Sequence, residues 1–430
     1  MTRTRILMTI VLGSAPLGCS TPDSGRTSVA SNAAPGASGS GASSSGASRS
    51  GVSAAGRRAT AVVAGMSHSC ALADDGRVFC WGSNEHGQLG AAAPDNCPLP
   101  DFHGLPPAPI PCREQPTPVD GLADVVEIAA GGSTTCARLR DGTVRCWGDN
   151  GYGIVGDGTT TDRHAPVALG LTHVAELALS STHACARHED GSVDCWGLSY
   201  AGQLGTVPVV PSADAASKLG IAASKVLSPQ PVPGLADVVE IAVGMEITCA
   251  RVKSGDVLCF GKVEPRARGR VDPVVVPALH GASKLLLNEG YPGTTHCALF
   301  PDGAARCWGV QAGAGPLLAG STVESAPVLS TVVQDAAVLA LSQTRACSID
   351  RAGALSCWGD NGLGARPGPA RVSLTSAAAA VAMGPTHACA LGVDGSVSCW
   401  GDSFYGQAGV KGGFAPTSAF WTPVSVVVLP

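Results

Sequence analysis

An all-β fold, a seven-bladed β-propeller, is predicted by three features that repeat along the 430 residues. Two cysteines stand ten residues apart seven times, a glycine follows each first cysteine by six residues, and an aromatic residue directly follows each second cysteine. Successive first cysteines are 66, 49, 64, 48, 50 and 42 residues apart, so one unit has about 49 residues. Four short strands in a unit of that length are typical of a propeller blade, and seven units predict seven blades. The paired cysteines are Cys70 and Cys80, Cys136 and Cys146, Cys185 and Cys195, Cys249 and Cys259, Cys297 and Cys307, Cys347 and Cys357, and Cys389 and Cys399.

The ten-residue spacing fits a β-hairpin closed by a disulfide. If residues 140–142 form a three-residue loop, Gly142 occupies the left-handed position that favours glycine. Cys136 then faces Cys146 across an antiparallel pair, with Cα atoms about 4.5–5.5 Å apart, a separation that a disulfide spans. Because side chains alternate between the two faces of a strand, Trp147 is expected to point away from the disulfide, so that each hairpin is buried on both sides. Reduced cysteines in a packed core are the alternative.

Two further segments complete the predicted blade. An apolar stretch precedes each hairpin, as at residues 125–131, and predicts the innermost strand. A Pro-Val pair, as at Pro118-Val119, follows the hairpin and is expected to open an edge strand, where proline is tolerated. The array begins in an innermost strand at residues 60–65 and ends just past an outer strand at Pro423-Val424. We therefore expect residues 420–429 to pair with a blade and to help join the last blade to the first.

The seventeen cysteines indicate an oxidising compartment. Fourteen belong to the hairpins, Cys97 and Cys112 form a predicted eighth disulfide, and Cys19 is left without a partner. Paired cysteines at this density are improbable in a reducing cytosol and common in exported proteins.

The first nineteen residues have the pattern of an export signal with a lipobox-like end. Two arginines precede the apolar run 6–12, which is too short to span a bilayer as a stable anchor. Leu17-Gly18-Cys19-Ser20 resembles a bacterial lipobox, in which the cysteine carries the lipid, so Cys19 is the predicted lipid attachment. The odd number of cysteines favours lipidation. Pro16 stands where a lipobox usually has leucine, and plain secretion with another cleavage point is the alternative.

Residues 20–58 are rich in Ser, Gly, Ala and Thr and contain few apolar side chains, so they predict a disordered tether to a propeller at 59–430. The chain is expected to be a monomer that touches the membrane only through its lipid. The net charge of −5 and the absence of a basic run argue against nucleic acid as a partner.

Five short motifs resemble the RCC1 repeat, named for the chromatin-bound exchange factor of the small GTPase Ran. They are Val-x-x-Ile-Ala-x-Gly, Cys-Ala-Leu, Asp-Gly-x-Val, Cys-Trp-Gly-x-Asn and Gly-Gln-Leu-Gly. The resemblance extends over residues 59–430 and is most specific in blades 1, 2, 3 and 7. Blades 4 to 6 keep the hairpin but lack the Gly-Gln-Leu-Gly loop.

The resemblance implies a seven-bladed propeller that binds proteins. Members of the family include nucleotide-exchange factors and a secreted bacterial inhibitor of β-lactamase. The paired cysteines depart from the intracellular members. We therefore expect an exported, lipid-anchored scaffold at the outer membrane or cell surface, without enzymatic activity or cofactor, that binds an unknown protein partner. A secreted or periplasmic enzyme inhibitor is the first alternative, and an exchange factor is the second.

Three motifs have both a functional and a structural interpretation. Gly151-Tyr-Gly-Ile-Val-Gly156 matches the dinucleotide fingerprint but opens no predicted helix, so a blade loop is favoured. Asp149, Asp157 and Asp162 are candidate calcium ligands, although aspartate is common in turns. Four histidines stand just before a first cysteine and either converge on the axis to bind a metal or satisfy backbone groups between blades. These histidines are His68, His183, His296 and His387.

Two insertions mark the expected partner site. The long spacings, 66 and 64, come from residues 91–115 in blade 1 and residues 206–228 in blade 3, directly after equivalent loops. Equivalent positions emerge on the same face of the ring, and loops on a rigid scaffold commonly carry recognition. The first insertion contains Cys97 and Cys112, and its polar residues Asp101, His103 and Arg113 are the candidate partner-binding residues. Insertions without a role are the alternative.

Overall fold

The computed structural model describes residues 57–92, 95–97, 109–206, 224–263, 269–288, 295–310, 323–330, 333–360, 365–410, 423, 425–427 and 429. The predicted export signal, Cys19 and all but the last two residues of the predicted tether lie outside this part of the chain. Asp101 and His103 also lie outside it. Among the described residues, no helix has the length and apolar character needed to cross a membrane.

The described chain forms seven antiparallel sheets, one for each cysteine hairpin, which confirms the predicted seven-bladed propeller. Consecutive strands are neighbours in every sheet, except that blade 1 has a fifth strand and the order β1-β2-β3-β5-β4. A short 3-10 helix, Pro277–Leu279, leads from blade 4 to blade 5.

The strands of blades 1 to 4 have the following bounds. They are β1 Ala59–Ala64, β2 His68–Ala73, β3 Val78–Ser83, β4 Asp95–Cys97 and β5 Ile110–Pro118 in blade 1; β6 Val125–Gly131, β7 Thr134–Leu139, β8 Val144–Gly148 and β9 Arg163–Ala168 in blade 2; β10 Val174–Leu179, β11 His183–His188, β12 Val193–Ser199 and β13 Ser224–Pro231 in blade 3; and β14 Val238–Val243, β15 Ile247–Val252, β16 Val257–Gly261 and β17 Arg270–Val275 in blade 4.

Blades 5 to 7 repeat the pattern. Their strands are β18 Lys284–Leu286, β19 His296–Leu299, β20 Ala305–Val310 and β21 Val323–Leu329 in blade 5; β22 Ala336–Leu341, β23 Arg345–Asp350, β24 Leu355–Asp360 and β25 Ala365–Arg371 in blade 6; and β26 Ala378–Met383, β27 His387–Gly392, β28 Val397–Gly401 and β29 Ser425–Val427 in blade 7.

The hairpin between the second and third strands has the predicted register. In blade 2 the backbone N–H of Leu139 donates to the carbonyl of Thr143 at 2.9 Å, and Gly142 has the left-handed φ of 77°. Cys136 consequently faces Cys146, and the pair is disulfide-bonded with Cα atoms 4.1 Å apart. The other six hairpin disulfides have the same Cα separation. This is slightly below the expected range and nearest to the separation of about 4.5 Å in a non-hydrogen-bonded pair.

The expected start of the outer strand was wrong. The Pro-Val pairs do not open this strand: Pro118 is the last residue of β5, and Pro231 is the last residue of β13. The strands begin several residues earlier, and within each pairing the register with the third strand shifts just after the second cysteine, as between Cys80 and Gly82. No repeated sequence motif marks the first residues of these strands. The prolines still lie on an edge strand, where a missing N–H is tolerated.

Each junction between blades is packed by the disulfide of one blade and the aromatic residue of the next. Cys136 and Cys146 of blade 2 form one buried cluster with Trp196 of blade 3. Because Trp147 points away from its own disulfide, it packs on Cys70 and Cys80 of blade 1 instead. The arrangement recurs with Phe260, Trp308, Trp358 and Trp400. Burial of both faces of each hairpin, predicted from the alternation of side chains, is thereby confirmed.

A polar link accompanies this packing near the axis in blades 2 to 5. Glu127 accepts a hydrogen bond from Arg138 in its own blade at 2.6 Å and another from the backbone N–H of Leu177 in the next blade at 3.1 Å. Glu176 and Glu240 make the same two kinds of bond. One carboxylate thus connects two neighbouring innermost strands.

The ring closes as expected from the ends of the repeat array. β29 pairs with β28 as the outer strand of blade 7, and Leu429 then forms a β-bridge with Arg57, just before β1. Trp81 of blade 1 shares a buried cluster with Leu429 and with the blade 7 disulfide. The last blade therefore meets the first through the same contacts that join the other blades.

Candidate partner-binding face

One face of the propeller, which we call the loop face, carries two kinds of connection. The turns between the first and second strands lie there, and the loops between the third and fourth strands are hydrogen-bonded onto them. The backbone N–H groups of Ser83, Asp149 and Asp402 donate to the carbonyls of Ser67, Ser133 and Thr386 at 2.8–3.0 Å. The opposite face carries the hairpin turns. There the carbonyl of Gly76 in blade 1 accepts a hydrogen bond from the backbone N–H of Val125 in blade 2.

The described ends of both insertions lie in the connection between the third and fourth strands, on the loop face. Residues 91–115 run into the first part of β5, and residues 206–228 run into the first part of β13. In the first insertion β4 pairs with β5, and the Cys97–Cys112 disulfide, with Cα atoms 5.8 Å apart, joins the two strands. Residues 207–223 of the second insertion lie outside the described chain.

Of the three candidate partner-binding residues, only Arg113 is described. Its guanidinium donates to the carboxylate of Asp95 and to the carbonyl of Ala92, each at 3.3 Å. Arg113 therefore ties β5 to the preceding loop and to β4, and its side chain is about one-quarter exposed, at 27%.

The Gly-Gln-Leu-Gly loops of the loop face are held by their glutamine. The side-chain carbonyl of Gln88 accepts the backbone N–H of His86 at 2.9 Å, while its backbone carbonyl accepts the indole N–H of Trp147 and the hydroxyl of Thr135 from blade 2. Gln407 makes the equivalent contacts with blade 1 through Trp81 and Ser69. This motif therefore connects blades as well as turning the chain.

Three of the four repeat histidines connect neighbouring blades, whereas Nδ1 of His296 accepts the backbone N–H of Asn288 in its own blade. Nε2 of His68 lies 2.8 Å from the hydroxyl of Thr135 in the next blade, and His183 and His387 make the same contact with Thr248 and Ser69. Because each hydroxyl donates to a loop carbonyl, it accepts from the imidazole, whose Nε2 carries the proton. Burial lowers the pKa of His68 to about 4 and that of His183 to about 3. The imidazoles are thus neutral, and they lie at separate junctions.

Two of the candidate calcium ligands meet a histidine that sequence reasoning missed. Asp149 and Asp162 lie beside His86 of blade 1, with donor atoms of all three within 4.8 Å of one another. Nδ1 of His86 is 2.8 Å from the carboxylate of Asp162. Partial burial lowers the pKa of His86, but the hydrogen bond to Asp162 and the nearby carboxylates outweigh it, so the pKa is raised. Asp157 instead bonds Arg163 at 2.5 Å.

The glycine-rich segment of residues 151–156 is a blade loop, in agreement with the favoured interpretation. It contains no helix, and the carbonyl of Ile154 accepts the indole N–H of Trp196 at 2.6 Å. Gly156 has a φ of 81°, and a Cβ there would lie 2.6 Å from that indole nitrogen. The last glycine of the fingerprint is therefore needed for packing between blades.

Carboxylates accumulate on the loop face where blades 7, 1 and 2 meet. We call Glu85, Asp149, Asp162 and Asp402 the acidic sector. Burial raises the pKa of Asp402 to about 6, against its backbone hydrogen bonds and the charge of Arg345. Burial, together with the carboxylates of Glu85 and Asp402, raises the pKa of Tyr405, which places this phenol inside the sector.

A cavity of about 160 Å³ lies on the propeller axis at the loop face. Strand ends and turns from blades 1, 2, 3, 5, 6 and 7 surround it, and Met66, 48% exposed, is part of its lining. Its apolar lining comprises Ala64, Ala130, Leu287, Leu341 and Met383. Its polar side chains are Ser181, Asn288 and Gln343.

Comparison with known families decides the kind of repeat. The family described as the regulator of chromosome condensation (RCC1) repeat matches residues 59–88, 125–154, 174–203 and 378–407, and a second profile of that description matches 75–138. The β-propeller contains RCC1 repeats. The matched residues lie in blades 1, 2, 3 and 7, where the resemblance to the repeat is most specific.

Solved structures share this fold. The RCC1-repeat propeller is similar to yeast RCC1 (Prp20), solved bound to Kap60, with a TM-score of 0.59 and 20% identity over 76% of this chain and 78% of that one. Human WBSCR16 is similar with a TM-score of 0.65 and 18% identity, over 82% and 93% of the two chains.

Curated relatives match shorter parts of the RCC1-repeat propeller. The mouse secretion-regulating guanine nucleotide exchange factor is 33% identical over 122 residues, which are 26% of this chain and 24% of that protein. The probable E3 ubiquitin-protein ligase HERC4 of rat is 31% identical over 112 residues, 25% of this chain and 9% of the ligase. The chain thus spans less than a quarter of the length of either relative.

Proposed function

We propose that this RCC1-repeat propeller is an exported protein-binding scaffold, held at the cell envelope by a lipid on Cys19. The observation that carries the proposal is the disulfide in every blade, together with the eighth at Cys97–Cys112. All sixteen cysteines of the described chain are paired, and such pairing persists in oxidising compartments outside the cytosol.

Binding, rather than catalysis, is the activity that we assign. A rigid ring with loops on one face suits recognition, because the ring loses little entropy when a partner binds. The match to the HERC4 ligase extends over 9% of that protein, and the match to the exchange factor extends over 24% of that protein. Neither match extends over enough of the relative to transfer its activity to this chain.

The loop face is the proposed partner site. The described ends of both insertions lie there, and the disulfide and Arg113 restrain the first of them. A restrained loop is ordered before binding and therefore retains more of the free energy of its contacts. Asp101 and His103, in the middle of that insertion, remain proposed contact residues together with Arg113.

The alternative is a released protein that inhibits an enzyme. Pro16, at a position where the lipobox usually has leucine, favours this alternative. Metabolic labelling with a palmitate analogue separates the two. Label on the wild-type chain that disappears in Cys19→Ser supports the anchor, and an unlabelled chain in the medium supports release.

A capture experiment tests the scaffold function. The full-length protein, purified without reductant, is immobilised and exposed to envelope extract. A variant in which a short Gly-Ser turn replaces each insertion serves as the matched control, once circular dichroism has shown an intact propeller. We expect a defined protein to be retained by the wild type and lost from the variant. Capture of no protein by the wild type would overturn the scaffold function, and equal capture by both would move the site away from the insertions.

A further inference from the structure

The axial cavity and the acidic sector adjoin each other on the loop face. Asp149 donates its backbone N–H to Ser133, which follows Gly132 of the cavity lining, and Asp402 donates to Thr386, which follows Pro385 of that lining. The first residues of two acidic loops are thus fixed at the rim of the cavity by backbone hydrogen bonds.

The acidic sector has an excess of negative charge. Two arginines on this side of the face are already paired, Arg113 with Asp95 and Arg163 with Asp157. Among the described residues, His86 is the basic side chain that forms an ion pair within the sector, with Asp162. Arg345 lies nearby, but its guanidinium donates to the carbonyls of Gly384 and Pro385. Lys225 of blade 3 donates to the carbonyl of Gly151 at 2.9 Å, beside the sector, and leaves its four carboxylates in excess over His86, Arg345 and Lys225. Lys262 lies farther round the ring, where it pairs with Glu246 of blade 4.

The cavity offers an apolar contact within a mixed lining. Alanine, leucine and methionine side chains line it together with Ser181, Asn288 and Gln343, its open end is at the loop face, and Met66 is one of four large hydrophobic residues of the described chain that are exposed. A cavity of about 160 Å³ accommodates one bulky aliphatic side chain but not a whole segment. Burying such a side chain in an apolar site stabilises a complex, and anchors of this kind commonly dominate an interface.

We propose that the loop face binds a cationic loop of a protein partner, which inserts one bulky aliphatic side chain into the axial cavity while its flanking lysines or arginines contact the acidic sector. This inference rests on the proposed scaffold function and adds to it the chemistry of the partner. The negative charge of the sector favours a positively charged partner. The volume of the cavity favours one bulky aliphatic side chain as the anchor. A neutral or acidic partner does not match this surface.

Defined peptides test this directly, without knowledge of the natural partner. The probe is a fluorescent cyclic peptide in which one leucine is flanked by arginines, and the comparison peptide has glycine in place of leucine. Binding to the full-length protein is measured by fluorescence anisotropy with a chelator present, so that no divalent ion competes for the carboxylates. We expect the leucine peptide to bind about tenfold more tightly than the glycine peptide, and its binding to weaken at high salt.

Two variants with matched controls separate charge from cavity. Glu85→Gln, Asp149→Asn and Asp402→Asn together remove three charges and retain an oxygen acceptor at each position. We expect this variant to bind the leucine peptide about tenfold more weakly. The control carries Asp124→Asn, Asp237→Asn and Asp335→Asn on the opposite face, where all three residues have positive φ, a conformation that asparagine tolerates. It should bind as the wild type does.

The cavity variant is Ala130→Leu, and its control is Ala352→Leu at an exposed hairpin turn of blade 6. Filling the cavity should remove the preference for leucine over glycine, whereas the control should keep it. Equal binding of both peptides to the wild type, or equal effects of the two charge variants, would overturn the inference. These results are independent of the capture experiment: a captured envelope protein that is indifferent to the charge variant leaves the scaffold function standing and refutes the cationic loop.

Discussion

The indole N–H of Trp147 donates to the backbone carbonyl of Gln88 at 2.9 Å, across the junction between blades 1 and 2. The ring of this tryptophan is fully buried against the disulfide of blade 1. One side chain thus joins the disulfide, the Gly-Gln-Leu-Gly loop and the neighbouring blade. The same bond recurs between Trp81 and Gln407, at the junction that closes the ring.

Substitution of Trp147 should separate the hydrogen bond from the packing. Trp147→Phe leaves most of the ring but leaves the Gln88 carbonyl with one donor fewer, and we expect a loss of about 1–3 kcal/mol in the free energy of unfolding. Trp147→Ala also leaves a cavity and should cost about 3–5 kcal/mol. Phe260→Ala is the control, because phenylalanine packs at that junction without an indole donor. Denaturant unfolding measures all three, and a Trp147→Phe variant as stable as the wild type would refute the role of the bond.

Loss of a hairpin disulfide should destabilise the propeller more than loss of the disulfide in the insertion. In the chain-entropy model both kinds of bridge contribute about 2.5–3 kcal/mol, so the expected difference comes from packing. Cys136 and Cys146 lie inside a junction cluster, whereas the Cys97–Cys112 disulfide joins only β4 to β5.

Paired serine variants of the two disulfides provide the comparison. The thermal midpoint should fall further for Cys136→Ser with Cys146→Ser than for Cys97→Ser with Cys112→Ser. Mass spectrometry of the exported protein without reductant should show eight bridges. Free thiols at most of the hairpin positions would contradict both the oxidised hairpins and the proposed export.

Acid should weaken the junctions through the buried histidines. Burial lowers the pKa of His68 to about 4 and the pKa values of His183 and His387 to about 3, whereas in the unfolded chain the pKa is near 6.5. Below about pH 6.5 the unfolded chain binds protons that the folded chain excludes. The stability that depends on neutral imidazoles is therefore present above pH 6.5 and is lost as the pH falls toward the folded values.

The pH dependence of unfolding in denaturant checks this expectation. We expect the free energy of unfolding to decline from about pH 6.5 downward, and His183→Gln to show a shallower decline than the wild type. His86 is the internal control, since its pKa is raised rather than lowered. Its contribution is present below the unfolded value and is lost as the pH rises, so His86→Gln should not flatten the acid decline. A wild-type stability that is unchanged down to pH 4 would contradict the prediction.

Removal of the C-terminal segment should open the ring. Deleting residues 418–430 removes β29 and the bridge between Leu429 and Arg57, which exposes the edge of β28 and the junction with blade 1. Exposed edges pair with other chains, so the truncated protein should aggregate and melt at a lower temperature. Leu429→Asp places a charge in the same junction without shortening the chain and should act in the same direction. A truncated protein that remains monomeric in size-exclusion chromatography and as heat-stable as the parent would refute this.

The sequence by itself determined the repeating hairpin and hence the fold. The pairing of Cys136 with Cys146 depends on a ten-residue segment whose turn requires a left-handed glycine, and that requirement is local. The hairpin occurs seven times, in units of about 49 residues. A ring of seven blades is the arrangement that buries both faces of every hairpin. Closure by Leu429 follows from where the array begins and ends, which is also visible in the sequence.

The tertiary structure decided which side chains meet across the junctions. His86 and Asp162 are 76 residues apart, and Ser69 and His387 are 318 apart, so no local pattern connects them. The sequence grouped Asp157 with Asp149 and Asp162. Asp157 pairs with Arg163, which begins β9 directly after the loop, while the other two carboxylates face the adjacent blade. Such contacts depend on how neighbouring blades are rotated and spaced. Burial at those contacts sets the pKa values of the repeat histidines, and the spacing of the blades sets the shape of the axial cavity.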